Sequence, residues 1–431
     1  MPARRPLALG IAIAVAVSAL VALWSPSGVD YLAPCSGSVC DDPGPSIDAL
    51  SHGDLEGFFA NQPPMGSFSL LLRTPPTMVA NAIGGDDLLV YRLGVFVCML
   101  AAGLLAVFLA LAMIERRRPW TLWVLLAAAC VINPLTYQAA FYGHPEEMLA
   151  AVLAVGAVIA AGRGRWLIGG LMLGAAVATK QWAALAFIPA LMAAPAGTRA
   201  RTALTCVALA GALTLPMLAG NPERFQAAQE QVSTASAYTN TVTATNVWWP
   251  FASASTGIGT DVDGSVMELT QYSLPASAGR PMHLGVIAAA LLLCLLYARR
   301  GRRGRAPEDL LQLVALLFLL RCMLDPLTFS YHHLPFLVAL VAYEALRRRV
   351  PVLSAWAIAG ALMLNEVIAP TGEPGVINAF YLAWTIPLAG AMALSLFAPV
   401  RYEAPVRSAG SVLLSRRNRL GQPPRRPGLG R

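Results

Sequence analysis

Asn133-Pro134-Leu135-Thr136-Tyr137 leads into Phe141-Tyr142-Gly143-His144-Pro145-Glu146-Glu147, and after an apolar run the chain reaches Thr179-Lys180-Gln181-Trp182. Polar, aromatic and acidic residues thus stand at the mouths of hydrophobic segments, and Lys180 is the only lysine in the sequence. The surrounding chain has 431 residues, of which 57% are hydrophobic and 13% charged. A water-soluble globule of that composition lacks the residues for a polar surface. Runs of roughly 20 apolar residues recur along its length, as crossing about 30 Å of hydrocarbon requires. Ionisable groups kept at the ends of such runs point to function. The expected fold is an all-α polytopic membrane protein.

Working outward, hydropathy marks about 12 transmembrane segments: 7–23, 88–114, 120–132, 147–161, 166–178, 182–194, 202–219, 283–298, 310–324, 334–346, 352–368 and 376–397. Arg4-Arg5, Arg116 to Arg118, Arg163, Arg165, Arg199, Arg201, the cluster from Arg299 to Arg305, and Arg347 to Arg349 all fall on one side of that alternation. The positive-inside rule makes this side, with both termini, cytoplasmic. No small-x-small cleavage site follows the first run, which reads as an uncleaved helix. Residues 1–398 form one integral membrane domain with two long extracytoplasmic loops, about 25–87 and 220–282. The tail, 399–431, is rich in Arg, Pro and Gly and is expected to be disordered beside anionic lipid. The net charge of +8 is accounted for by orientation and tail, so nucleic acid is not an expected partner. Cys35 and Cys40 lie on the oxidising side, either as a small disulfide ring or as two thiols.

This topology collects His52, His144, His283, His332, His333, Lys180 and Asp325 at the outer face. A secondary transporter or lipid flippase is the alternative reading, but a transporter buries its ionisable groups near the bilayer midplane. Groups at the water–lipid boundary suit an enzyme whose substrate is a lipid with a polar head. No Gly-rich phosphate loop, nucleotide motif or metal-ligand cluster occurs, so no cofactor is expected; a divalent metal stays open.

Two long outer loops, the Asn133-Pro134 and Tyr142-Gly143-His144 turn ahead of a helix, and the lone Lys180 after a short helix together resemble the GT-C superfamily of polyprenyl-phosphate-sugar-dependent glycosyltransferases. The nearest resemblance is to glycosyltransferase family 87, which includes actinobacterial mannosyltransferases, and it covers roughly residues 40 to 345. It implies a GT-C-like bundle, a lipid-linked sugar donor, and a lipid or glycan acceptor. Where the family pattern has Gly-Gln-x-Asn, this chain has Gly143-His144-Pro145-Glu146, which leaves the sugar open between mannose and arabinose. The Arg and Ala bias fits a GC-rich bacterium, hence a bacterial plasma membrane.

Transfer from such a donor is an inverting displacement that needs one carboxylate base and cations for the departing phosphate. The resemblance implies an Asp of the first outer loop as base. Asp42 ranks first and Asp41 next, about a dozen residues before Gly53; Asp54 follows, and each can instead be a helix cap or a solvated loop charge. An amphipathic stretch from Leu70 to Arg73 stops at Pro75-Pro76, too short to span, and is expected to lie on the outer leaflet. Its Arg73 either meets the donor phosphate or snorkels. Tyr142, His144, Glu146 and Glu147 are candidates for sugar hydroxyls, with helix capping the other reading of Pro145-Glu146-Glu147. Lys180, with Gln181 beside it, is the candidate phosphate contact. Arg321 and Asp325 pair along one helix face or serve, with Tyr331, His332 and His333, as the other half of a phosphate clamp. Trp248-Trp249, Tyr238 and Tyr272 of the second loop are either membrane-belt residues or a sugar-stacking acceptor site.

Overall fold

The structure, a computed structural model, describes residues 4–25, 43–115, 128–234, 241–260, 266–275, 278–299, 306–347 and 350–398. Asp41, Asp42, Cys35, Cys40, Tyr238 and the tail lie outside these. In chain order the helices are α1 (Arg4–Trp24), α2 (Gly44–Ser51), α3 (Leu55–Ala60), α4 (Ser67–Ala82), α5 (Asp87–Glu115), α6 (Pro134–Phe141), α7 (Glu146–Gly162), α8 (Trp166–Val177) and α9 (Phe187–Ala193). There follow α10 (Arg199–Gly220), α11 (Pro222–Thr234), α12 (Gly279–Arg299), α13 (Asp309–Leu324), α14 (Leu334–Arg347), α15 (Val352–Met363) and α16 (Pro374–Phe397). The chain is a helical, multi-pass membrane protein. Each expected apolar segment except 120–132, most of which is outside the described residues, lies on helix. Six helical stretches among the described residues are long and apolar enough to cross a membrane: Leu7–Trp24, Asp87–Met113, Ala196–Gly220, Pro281–Arg299, Val352–Thr371 and Pro374–Phe397.

The centre is built from shorter helices. α7, α13 and α14 have 17, 16 and 14 residues and are buried almost all round. At about 1.5 Å per residue they rise roughly 21–26 Å, less than the hydrocarbon thickness. A helix that is apolar on every side belongs in the interior. Small residues on α7 (Ala150, Ala151, Ala154, Ala157 and Ala161, all buried) let neighbouring backbones approach closely. α7 packs against α5, α8 and α14, and α13 against α14 and α16.

Interior polar groups are tied across elements. The Glu344 carboxylate on α14 accepts from Leu353 N (3.0 Å) and Ser354 N (2.9 Å), satisfying the first turn of α15. Arg347 Nε and Nη2 donate to the two carboxylate oxygens of Asp309, at 2.7 and 3.3 Å, joining the end of α14 to the start of α13.

The two long loops differ from expectation in two places. The amphipathic stretch does not stop at Pro75-Pro76: α4 runs through both prolines to Ala82. The hydroxyls of Thr74 and Thr77 add bonds to the carbonyls of Leu70 (2.8 Å) and Arg73 (3.0 Å), beside the gap the missing N–H groups leave. Its buried face carries Leu70, Arg73, Thr74, Thr77 and Ala80, whereas Leu71, Met78 and Val79 are exposed. Arg73 thus points inward and does not snorkel. The second loop is not wholly irregular or helical: Ser253–Thr260 and Val266–Ser273 pair as an antiparallel two-stranded hairpin, β1 and β2, with Ser253 opposite Ser273.

Replacing Glu344 with Ala strands two buried N–H groups. We expect the protein in detergent to lose roughly 2 kcal/mol or more of stability, read as a lowered thermal midpoint, with Glu344→Gln losing less.

Candidate active site

Three turns and α4 converge at one end of the short central helices. The first turn is set by Gly143. α6 is capped at its start by Asn133, whose side chain accepts from Thr136 N at 3.0 Å, with Pro134 in the first turn. At its end Gly143 takes a φ of 81°, and His144 N donates to Ala139 O at 2.8 Å, closing a Schellman turn that favours glycine. Pro145 then starts α7, so Glu146 and Glu147 fall in its first turn, completely buried.

The second segment is the break after α8. Lys180 is extended (φ −142°, ψ 126°) between α8 and a 3₁₀ turn. Gly66 N donates to Thr179 O (3.1 Å) and Phe68 N to Ala178 O (2.9 Å), so the start of α4 is docked on the lysine segment. A side chain at residue 66 would run into the carbonyl of Ala178.

Glu146 is the meeting point. Its Oε1 accepts from Lys180 Nζ at 2.9 Å and from His144 Nδ1 at 3.3 Å, and its Oε2 lies 4.0 Å from Arg73 Nη1. Lys180 Nζ is also 3.4 Å from Glu147 Oε1. Arg73 lies against Gly94 of α5, where an added Cβ would come within 2.5 Å of its Nε. Burial by itself would raise the Glu146 pKa, but Lys180, the His144 hydrogen bond and Arg73 outweigh it and hold the carboxyl far below the ordinary range. It is ionised at neutral pH.

The third segment is the turn after α13. His144 stacks on Tyr331 with ring centroids 4.8 Å apart, and Tyr331 stacks on Phe329 at 5.8 Å, with Tyr142 6.1 Å away. Arg321 Nε lies 3.8 Å from Asp325 Oδ2, and its guanidinium sits 5.7 Å from the Trp182 ring centroid. Arg321 is therefore paired along its helix, as one reading had it.

The two histidines of this turn have different surroundings. His333 is buried with both ring nitrogens occupied: Nδ1 donates to Ser330 O (3.1 Å), which leaves Nε2 to accept from the Tyr381 hydroxyl (2.9 Å). Burial pushes its pKa down to about 4. His332 Nδ1 accepts from Phe329 N at 3.3 Å. Burial, then Arg321, Lys180 and His144, push its pKa well down. Both rings are neutral at pH 7.

Gln181 is turned aside. Its Nε2 donates to Gln229 Oε1 of α11 at 3.3 Å, beside a recess of about 100 Å³ that also includes Gln62, Thr214 and Phe225. Asp54 is exposed and accepts from Gly57 N at 2.9 Å as the N-cap of α3. Gly53 before it has a φ of 76° and ends α2. Trp248 Nε1 donates to Leu324 O (2.7 Å), and Trp249 packs on Tyr272 at 5.1 Å. Next to Trp248 an apolar groove of about 430 Å³ runs between Pro281, Met282, Gly285 and Leu324. The groove and the Gln-lined recess have no local sequence signal, because each is made by segments distant in the chain. Phe329 stood next to the Tyr331-His332-His333 run and could have been found as a further aromatic. Among the described residues no group of three or more His, Cys, Asp or Glu is placed to hold a metal ion.

The profile of glycosyltransferase family 87 matches residues 66–326, well over half of the chain. The chain belongs to this family. The matched span includes Arg73, the Gly143 turn, Lys180 and Arg321. A search of curated proteins returns no significant match. Among solved structures, the chain is similar to the oligosaccharyltransferase AglB of Archaeoglobus fulgidus in complex with an inhibitory peptide and a dolichol-phosphate: 12% identity, TM-score 0.43, covering 91% of this chain and 55% of that one. It is also similar to the Archaeoglobus fulgidus oligosaccharyltransferase tethered to an acceptor peptide, at 14% identity and TM-score 0.42 with the same coverage. The family 87 chain thus spans about half the length of the solved structures it matches, and a likeness this distant says nothing of its substrate.

Because His333 is neutral when folded, the unfolded chain takes up a proton below about 6.5 that the folded chain refuses down to about 4. Its contribution to stability is complete above pH 6.5 and is lost as pH falls toward 4. The thermal midpoint of His333→Gln should accordingly fall less between pH 7 and pH 4.5 than that of the natural protein. Parallel pH curves for the two would remove the effect.

Proposed function

We propose that the chain is an inverting glycosyltransferase that moves a sugar, mannose or arabinose, from a polyprenyl-phosphate donor to a lipid or glycan hydroxyl at the extracytoplasmic face of a bacterial plasma membrane. One observation carries the reading: Arg73 and Lys180, from segments far apart in sequence, both reach Glu146, and Arg321 lies over the ring of Trp182, two residues past Lys180. Cations from separate elements at the end of an apolar bundle suit a phosphate that arrives on a lipid. The apolar groove at Trp248, Met282 and Leu324, which starts one helical turn from Arg321, offers a path for a prenyl chain.

In this mechanism the acceptor oxygen bonds to the sugar C1 as the C1–O bond to phosphate breaks, its electron pair going to the phosphate. The acceptor proton passes to an aspartate. Asp42 is the proposed base, with Asp41 next; both directly precede Pro43 and α2. Asp54 ranks last because its carboxylate already caps α3. Lys180, Arg73 and Arg321 take up charge on the departing phosphate, and Tyr142, Tyr331 and His332 border the sugar. His333 supports the turn through Tyr381. The basic side of the bundle, both termini and the tail 399–431 are cytoplasmic in this reading.

The test uses purified protein in detergent with labelled polyprenyl-phosphate mannose and polyprenyl-phosphate arabinose, each supplied together with a bacterial membrane-lipid and glycan extract as the source of acceptor. Release of polyprenyl phosphate with no membrane gradient is the expected result. Asp42→Asn should lower turnover roughly 10²–10⁴-fold, and Lys180→Ala should lower kcat/KM roughly 100-fold. If neither donor is consumed the donor assignment falls, and transport by a flippase becomes the reading to test. If the Asn variants at 41, 42 and 54 all turn over like the natural protein, the base is elsewhere.

A further inference from the structure

Lys180 is held by two carboxylates, one more than a structural ion pair needs. Glu147 Oε1 lies 3.4 Å from its ammonium, and Glu146 Oε1 lies closer, at 2.9 Å. Glu146 also touches His144 and approaches Arg73, and its side chain has no exposed surface with which to meet a sugar. Two of its neighbours, Lys180 and Arg73, are groups that the proposed reaction assigns to the phosphate.

The reaction changes the charge of that phosphate. The donor is a phosphodiester with one negative charge. The product is a monoester that carries about −1.5 to −2 at pH 7. A cationic clamp therefore grips its product harder than its substrate, and turnover stalls unless something offsets the difference. A fixed anion behind the cations does so, because its repulsion grows with ligand charge and falls about twice as heavily on a dianion as on a monoanion.

We propose that Glu146 is this anion: a positioning residue that holds Lys180, Arg73 and His144 in place and weakens the grip of the two cations on the lipid monophosphate, so that product leaves. The proposal rests on the glycosyltransferase reading above. Low solvent access makes the offset effective, since screening is weak around a buried charge. The ionised state of Glu146 across the neutral range is consistent with a permanent counter-charge. Replacement by Gln keeps the shape and an oxygen for Lys180, and leaves Lys180 its contact with Glu147.

Two measurements test it. In the first, binding of decaprenyl phosphate to detergent-purified protein is compared for the natural chain, Glu146→Gln, Glu146→Asp and Lys180→Ala. Glu146→Gln should bind decaprenyl phosphate roughly ten-fold more tightly, lower the donor KM by less, and show a pre-steady-state burst followed by slow turnover. Glu146→Asp should return binding and turnover toward the natural values, and Lys180→Ala should bind weakly. A merely structural Glu146 predicts the opposite sign, with weaker binding and no burst; that result overturns the proposal. The second measurement needs no variant. The natural protein should bind decaprenyl phosphate and its singly charged methyl ester within roughly three-fold of one another, and a preference for the monoester of roughly 100-fold or more overturns the proposal even if Glu146→Gln fails to fold. A natural protein that neither binds decaprenyl phosphate nor releases it from donor overturns the glycosyltransferase reading itself. Normal turnover without tighter binding by Glu146→Gln overturns only the role of Glu146.

Discussion

A carboxylate without solvent access cannot stay ionised unless cations and hydrogen bonds replace the water it has lost, and Glu146 is in that position. Meeting this requirement brings four parts of the chain together. Arg73 comes from α4, Lys180 from the break after α8, and His144 from the turn that Gly143 closes. His144 in turn carries Tyr331 on its ring face, which adds the turn after α13. Removing Arg73 or Lys180 leaves the Glu146 charge short of a counter-ion in a region of low dielectric, so the arrangement is mutually constrained.

The short central helices make room for that arrangement. α7, α13 and α14 are shorter than α5, α10, α12 and α16, and the turns at their ends are where the polar side chains gather. Local chemistry sets each turn: an asparagine cap and proline start α6, a left-handed glycine ends it, and the next proline starts α7 on an acidic first turn. α4 then lies across the mouth, docked through Gly66 and Phe68 onto the carbonyls of Thr179 and Ala178. Its polar face is buried and part of its apolar face is exposed, the reverse of a helix on a soluble protein. That inversion is what a helix bordering lipid on one side and a charged site on the other requires.

The second loop works as a strap. Asn378 Nδ2 donates to the carbonyls of Ala244 and Asn246, and the hydroxyls of Thr243 and Thr245 donate to Thr328 O. Asn246 and Trp248 in turn bond to the carbonyls of Asp325 and Leu324. These bonds satisfy backbone groups that the end of α13 and the following turn would otherwise leave open. They also hold the Arg321 and Tyr331 side of the site beside the apolar groove. Trp248 is thereby a structural bond donor, whatever else its ring face meets.

Membrane helices are legible in a sequence because apolar length is a local property, and each expected apolar segment within the described residues lies on helix, whereas α2, α3, α4, α6 and α11 lie outside those segments. The polar mouths were legible for the same reason: His144, Glu146, Glu147 and Lys180 interrupt apolar runs. The caps at Asn133-Pro134 and Pro145 follow from residues within a few positions of one another. Tertiary structure alone decided the rest. Arg73 is buried against Gly94 and Glu146, Gln181 turns away toward Gln229, and His333 spends both ring nitrogens on Ser330 and Tyr381. Neither the run of α4 through Pro75-Pro76 nor the hairpin at 253–273 has a local signal strong enough to announce it. Each depends on which distant surfaces meet, and the partner of a charge is chosen by that packing, which the order of residues along the chain does not display.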